Sequence, residues 1–296
     1  MIPTFPRQSS SRPGWQCREP PVVSGTGAHY SKEEALYRLT STHTLAAFTA
    51  VVALVTGCST GGVSDSLAQA ERVAASCPPD GARIAALVQV DWSGSRRSLA
   101  ATPAEEQVVR AAAERALICG GHLRMTVFSG SMIAVTVFDA NLHLDGATTN
   151  ARLRKAPKAV DAVMAQVTSA FPEAIERISD GATDIVAQYQ LGEEYWTQLS
   201  ATDHSVLEQT IVTDGIQTAG QDLSDPSLTI AHAEALAAAV SVPDLTGATV
   251  RLIGIGRQAD DASLPTPYIA ALRAFHTTVC DKTGADCSVV TDAAGA

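Results

Sequence analysis

The sequence predicts an α/β fold with a doubly wound, mostly parallel six-stranded sheet, one antiparallel edge strand and helices on both faces. Short apolar runs alternate along the chain with helical segments of roughly 10 to 20 residues, which is the order that βαβ crossovers produce. Two apolar runs are instead separated only by Ser129, Gly130 and Ser131, so these two strands should form an antiparallel hairpin. With 46% hydrophobic residues among 296, the chain can fill the core of such a domain.

The first half of the predicted domain contains one strand, one helix and the hairpin. The apolar run 84–90 is the first strand, and a helix follows it over 103–118. Thr102 suits the N-cap of this helix, because proline occupies its first position and glutamate lies in its first turn. The hairpin strands are predicted at 123–128 and 132–138.

The second half continues with alternating helices and strands. A helix is predicted over 158–178 with an interruption at Pro172, and another over 183–199 with Thr183 as its cap. The remaining elements are a strand at 206–212, a helix at 228–240, a strand at 249–255, a helix at 267–279 and a short strand at 288–291. We therefore expect one domain over 77–296.

The N-terminal part of the chain does not follow this pattern. Residues 1–43 are rich in Pro, Ser and Arg, and we interpret them as a disordered or wrongly assigned extension. The apolar, uncharged run 44–57 has 14 residues, fewer than the about 20 that a membrane-spanning helix needs, and fits the core of a signal peptide. The end of this run and the cysteine after it, L-V-T-G-C at 54–58, resemble a bacterial lipobox. Residues 44–58 are therefore predicted to be a lipoprotein signal core with its lipobox.

The lipobox resemblance implies that Cys58 is lipidated and that the exported chain is anchored to the outer face of a bacterial membrane. Residues 59–76 would then form a tether with a turn or two of helix. About 43 residues precede the apolar core, where a lipoprotein signal has only a few, and a start codon assigned too far upstream would explain them. The alternative is a buried helix of a cytosolic protein.

Oxygen-bearing side chains occur at three points where predicted strands and helices meet. Asp91, Ser93 and Ser95 follow the first strand, Thr183 begins a helix, and Asp214 follows the fourth strand. Ligands of an open parallel sheet bind beyond the carboxyl ends of its strands, so these loops should converge. Two carboxylates and three hydroxyls without His or Cys are typical of a site for Mg²⁺, Mn²⁺ or Ca²⁺, and not for Zn²⁺.

The three motifs that contain these side chains also occur in the order found in a known family of metal-binding domains. D-W-S-G-S at 91–95, G-A-T-D at 181–184 and V-T-D-G at 212–215 resemble the metal-ion-dependent adhesion site of von Willebrand factor A (vWA) domains. The resemblance covers residue 84 to the C-terminus, and it implies that the five side chains named above bind a divalent cation, with Mg²⁺ first. One departure is Gly181-Ala182, where the family commonly has two glycines, but the Thr183 hydroxyl is still available.

This resemblance implies a non-enzymatic module for adhesion or assembly, in which an acidic residue of a protein partner completes the coordination of the cation. The alternatives are a metal-dependent hydrolase that uses the same loops, an accessory subunit of an ATPase or metal-inserting complex, and a structural domain with a vestigial site. The net charge of −10 argues against a nucleic acid partner, because phosphate binding needs clustered Lys and Arg. Trp92, inside the first motif, either packs under the loop or stands at its rim as a ligand contact.

The four cysteines after Cys58 predict two disulfides in an exported chain. A helix that follows a parallel strand returns to the end of the sheet where strands begin. This topology pairs Cys77 with Cys119 and Cys280 with Cys287. Both bridges and the lipid tether would then lie opposite the metal loops, so the metal face would point away from the membrane.

Overall fold

A computed structural model describes residues 61–94, 103–130, 134–178, 181–258 and 264–292. The predicted N-terminal extension, the apolar run with Cys58, the cap residue Thr102 and the candidate ligand Ser95 lie outside these ranges. None of the helices in the described part of the chain is both long and apolar enough to span a bilayer.

The described part of the chain forms a single sheet of six strands, which are β1 (Arg83–Asp91), β2 (Gly121–Phe128), β3 (Ala134–Leu142), β4 (Ser205–Val212), β5 (Thr249–Ile253) and β6 (Asp286–Val290). Their spatial order is β3-β2-β1-β4-β5-β6. Five of the strands are parallel, and β3 at one edge is antiparallel to β2. This sheet confirms the predicted fold class.

Helices cover both faces of the sheet, and the alternating side chains of β1 show how the faces divide. The helices are α1 (Gly61–Ala75), α2 (Pro103–Cys119), α3 (Thr149–Leu153), α4 (Ala156–Glu176), α5 (Val186–Ser200), α6 (Ile230–Ala239) and α7 (Thr266–Lys282). Ile84 and Ala86 pack with α2 and α4, whereas Ala85 and Leu87 pack with α5, α6 and α7.

Helix α1 is longer than the turn or two of helix predicted within the tether. Leu67, Ala70 and Ala74 recur at helical spacing and pack on Leu153 and Ala156. This apolar stripe packs α1 against the domain, so the helical part of the predicted tether is longer than the sequence indicated.

Helix α4 continues through Pro172, where an interruption was predicted. A proline inside a helix removes one backbone hydrogen bond and crowds the preceding turn. Here only four residues of the helix follow Pro172, and Ala174 among them is buried in the core. Burial of Ala174 holds this last turn on the core, and the helix continues past the proline.

The structure contains both predicted disulfides. Cys77 is bonded to Cys119, and Cys280 is bonded to Cys287. Cys77 and Cys119 precede β1 and β2, and the second bridge joins the last turn of α7 to the start of β6. Both bridges therefore lie at the end of the sheet where the parallel strands begin.

Candidate metal centre

Asp91 is the last residue of β1 and lies at the carboxyl end of the sheet. Because Val90 pairs with Val212, the chain leaves β1 and β4 at the same level. The side chain of Asp91 is 1% exposed. Its Oδ1 accepts a hydrogen bond from the Ser93 amide at 2.8 Å, and its Oδ2 accepts one from Thr213 Oγ1 at 2.8 Å.

Asp214 follows β4 and is fully buried. Its Oδ1 accepts a hydrogen bond from the Ile216 amide at 2.9 Å, which closes a tight turn over Gly215. Gly215 has φ +83°, a conformation that favours glycine, and a Cβ there would also displace Ile255 Cδ1, which would lie 2.9 Å away. The Asp214 carbonyl accepts a hydrogen bond at 2.7 Å from the amide of Gly256, in the turn after β5.

Thr183 lies in the segment that leads into α5 and is 4% exposed. Its amide donates to Thr218 Oγ1 at 2.7 Å, and its carbonyl accepts from the amides of Thr218 and Ala219, each at 3.0 Å. Thr218 and Asp214 belong to the same loop after β4. That loop therefore joins the second predicted motif to the third.

The cap assigned to Thr183 was wrong, because α5 begins at Val186. Asp184 Oδ1 accepts from the Ala187 amide at 3.0 Å, and Gln217 Oε1 accepts from the Val186 amide at 2.9 Å. These two side chains accept the hydrogen bonds of the first turn of α5, which is the role that was predicted for Thr183.

The segment before α5 also packs on the end of β2. A Cβ on Gly130 would lie 2.2 Å from the Ala182 carbonyl oxygen, so only glycine permits this approach of the two backbones. The Asp184 amide donates to the Ser129 carbonyl at 3.4 Å. The fold thus brings Asp91, Ser93, Thr183 and Asp214 to one edge of the sheet, while Ser95 lies outside the described residues.

The electrostatics of the site follow from two carboxylates in a buried position. Burial, and after it the negative charge of Asp214, raise the pKa of Asp91 to about 6, although hydrogen bonds from Ser93 and Thr213 oppose the rise. A divalent cation at this edge would offset both unfavourable effects. The donor set, with two carboxylates and hydroxyl oxygens, suits a hard cation.

In the described part of the chain, no group of three or more His, Cys, Asp or Glu side chains could hold a metal.

Trp92 packs under the loop, which settles the choice left open by the sequence. Its ring lies edge to face against Phe171 of α4, with 5.4 Å between ring centroids. Its amide donates to the Phe128 carbonyl at 2.7 Å. Trp92 therefore anchors the first motif between β2 and α4.

The residues that support the candidate ligands were not predicted from the sequence. Thr213 contacts Asp91, Thr218 contacts Thr183, and His276 Nε2 donates to the Gly215 carbonyl at 2.8 Å. Of these three residues, only Thr213 could have been identified from the sequence, because it directly precedes Asp214 in the third motif. Thr218 and His276 become supports only through the fold.

No family model matches the sequence, and no curated protein matches it either. Among solved structures, the ArnB paralog VWA2 from Sulfolobus acidocaldarius aligns over 72% of this chain and 42% of its own, at 12% identity and a TM-score of 0.35. An aerotolerance-related membrane protein from Bacteroides fragilis aligns over 71% and 92%, at 13% identity and a TM-score of 0.37. A von Willebrand factor type A protein from Catenulispora acidiphila aligns over 72% and 39%, at 15% identity and a TM-score of 0.32.

Proposed function

We propose that this chain is a cation-dependent protein-binding module. Asp91, Ser93, Thr183 and Asp214 would hold the cation together with Ser95. Mg²⁺ is the expected cation, with Mn²⁺ and Ca²⁺ as alternatives. When bound, the cation supplies a positive charge with an open coordination position, which an Asp or Glu side chain of the partner completes.

The observation that carries the proposal is the burial of two carboxylates at the ends of adjacent strands. Asp91 and Asp214 are 1% and 0% exposed, and their repulsion contributes to the raised pKa of Asp91. Burial of two like charges is unfavourable unless a cation or protons compensate them. The hydroxyl groups of Ser93 and Thr183 add neutral oxygen donors at the same edge.

The position of the site in the molecule suits a binding role. It lies at the carboxyl end of the sheet, whereas both disulfides and the start of β1 lie at the other end. If Cys58 carries a lipid, as the sequence predicts, the chain enters the domain from α1. The proposal includes export of the chain and a lipid anchor at the outer face of the membrane. It also includes a non-enzymatic role in adhesion or assembly.

Titration calorimetry of the full chain with Mg²⁺ and Mn²⁺ tests the cation site. Asp214→Ala removes one of the two buried carboxylates, so we expect it to weaken cation binding at least about tenfold. Asp244→Ala is the matched control, because Asp244 also accepts from the amide two residues later, at 2.9 Å, but is exposed and lies before β5. Equal cation affinity of the wild type and Asp214→Ala would overturn the site assignment.

The protein-binding step is tested with the same variants as baits in extracts of the cell envelope. A specific partner should be retained in Mg²⁺, released by EDTA, and absent from the Asp214→Ala bait. Retention that is the same for all baits and unaffected by EDTA would contradict the role of the cation in partner binding.

A further inference from the structure

The loop after β4 supplies more than the ligand Asp214. Thr213, on one side of Asp214, contacts the first motif, and Thr218, on the other side, contacts the second motif. We propose that Thr213 and Thr218 are positioning residues, which fix Asp91 and Thr183 for cation binding. The inference rests on the proposed function, and it assigns the positions of Asp91, Thr183 and Asp214 to a single loop.

Thr213 fixes the plane of the Asp91 carboxylate. Thr213 Oγ1 donates its proton to Asp91 Oδ2 at 2.8 Å and itself accepts a hydrogen bond from the Gly215 amide at 3.1 Å. The Ser93 amide holds the other carboxylate oxygen. Each carboxylate oxygen has a further acceptor position, so both hydrogen bonds leave room for a cation. Thr213 is fully buried, so water does not replace its hydroxyl group.

Thr218 fixes the backbone of Thr183 on both sides of its Cα atom. Thr218 Oγ1 accepts from the Thr183 amide, and the Thr218 amide donates to the Thr183 carbonyl. With both polar backbone groups of Thr183 held by one residue, the direction of its side chain is set as well. Thr218 itself is exposed, so its substitution should disturb the core little.

These contacts have a common consequence for the ligands. Any displacement of the loop 213–218 moves Asp214 directly, Asp91 through Thr213, and Thr183 through Thr218. Groups that orient metal ligands typically contribute about 10- to 100-fold to metal affinity. We therefore expect both threonines to affect cation affinity although neither is a ligand.

The test measures Mn²⁺ and Mg²⁺ affinity by calorimetry in the full chain. Thr213→Val and Thr218→Val keep the side-chain shape and remove the hydroxyl groups. We expect Thr213→Val to weaken binding about 10- to 100-fold and Thr218→Val up to about tenfold, because water partly replaces the exposed hydroxyl. The serine variants Thr213→Ser and Thr218→Ser restore the hydroxyl and should bind as the wild type does.

A second readout uses the metal-free chain, so it does not depend on cation binding. Hydrogen exchange of the Thr183 amide should become faster in Thr218→Val and return to the wild-type rate in Thr218→Ser. If Thr213→Val fails to fold, Thr218→Val carries the test alone, since Thr218 is exposed.

Two threonine variants at the other end of the sheet serve as controls. Thr283→Val removes a buried hydroxyl that donates to the Cys280 carbonyl, and Thr202→Val removes an exposed one that donates to the Leu199 carbonyl. Both should bind the cation as the wild type does. If Thr213→Val and Thr218→Val both bind the cation as tightly as the wild type, this inference is overturned and the proposed function is not. If the wild type itself binds no cation, the proposed function and this inference are both overturned.

Discussion

His276 shows how a single buried side chain couples α7 to the candidate site. Its Nε2 donates to the Gly215 carbonyl, so the neutral ring carries its proton on Nε2. Its Nδ1 is buried without a hydrogen-bond partner among the described residues. A second proton on Nδ1 would create a buried charge with no acceptor. Burial accordingly lowers the pKa of His276 to about 4, although the bond to Gly215 opposes this change.

The lowered pKa of His276 predicts that acid destabilises the fold. In the unfolded chain the ring takes up a proton as pH falls through about 6.5, but the folded chain does so only near pH 4. The folded state therefore loses stability across this interval. In His276→Gln, the side-chain amide keeps a donor for Gly215 and does not titrate. Between about pH 7 and pH 4.5, the wild type should lose about 2 kcal/mol more unfolding free energy than the variant.

Urea unfolding in EDTA at the two pH values measures this difference. Asp91 acts in the opposite direction, because its raised pKa makes the folded state less stable as pH rises from about 4 to 6. Its contribution is common to both chains and cancels in the comparison. An equal loss of stability in the wild type and His276→Gln would contradict the account of the buried ring.

At the scale of helices, Lys282 links α7 to the end of α6. Its ammonium group donates to the carbonyls of Ala237, Ala238 and Val240. The last carbonyls of a helix have no partner within the helix and carry the negative end of its dipole, so a lysine stabilises them in two ways. The lysine also ties the position of α7, and with it His276, to α6.

Lys282→Met is predicted to lower the free energy of unfolding by about 1 kcal/mol, since the apolar stem remains and the three hydrogen bonds are lost. Urea denaturation of the full chain measures the change. Lys158→Met is the matched control, because the Lys158 side chain is exposed on α4 and forms no hydrogen bond or ion pair in the described part of the chain. If the two variants lose equal stability, the contacts of Lys282 with α6 contribute nothing.

The order of strands and helices was predictable because apolar runs and helical spacing are local properties of the sequence. The boundaries of the helices were harder to predict, because they depend on contacts between distant segments. Thr183 has the chemistry of a cap, but Gln217, from a loop 31 residues away, serves that turn with Asp184. Pro172 has the chemistry of a helix breaker, but burial of the following turn keeps the helix intact.

The candidate ligands were predictable for a related reason. Asp91, Ser93 and Asp214 each follow a strand that the sequence shows, and parallel strands bring such residues to one edge. The groups that orient them were not predictable, because a threonine hydroxyl has many possible partners. Only the register of β1 and β4 shows that Thr213 meets Asp91.

At the largest scale, the two ends of the sheet have different properties. The candidate ligands and the residues that position them lie at the carboxyl end of the sheet. The disulfides Cys77–Cys119 and Cys280–Cys287 lie at the opposite end, where they close loops of different length. This separation predicts that stability and cation affinity can be changed independently.

Removal of each disulfide tests the separation. The bridge Cys77–Cys119 spans 42 residues and Cys280–Cys287 spans 7, so replacing both cysteines of a pair by alanine should cost roughly 4 and 2 kcal/mol of unfolding free energy. Both double variants should bind Mn²⁺ with wild-type affinity under conditions where they are folded. Urea denaturation without reductant and calorimetry measure the two quantities. Loss of cation affinity in a folded variant without Cys77 and Cys119 would show that the two ends are coupled, since neither residue contacts the loops of the site.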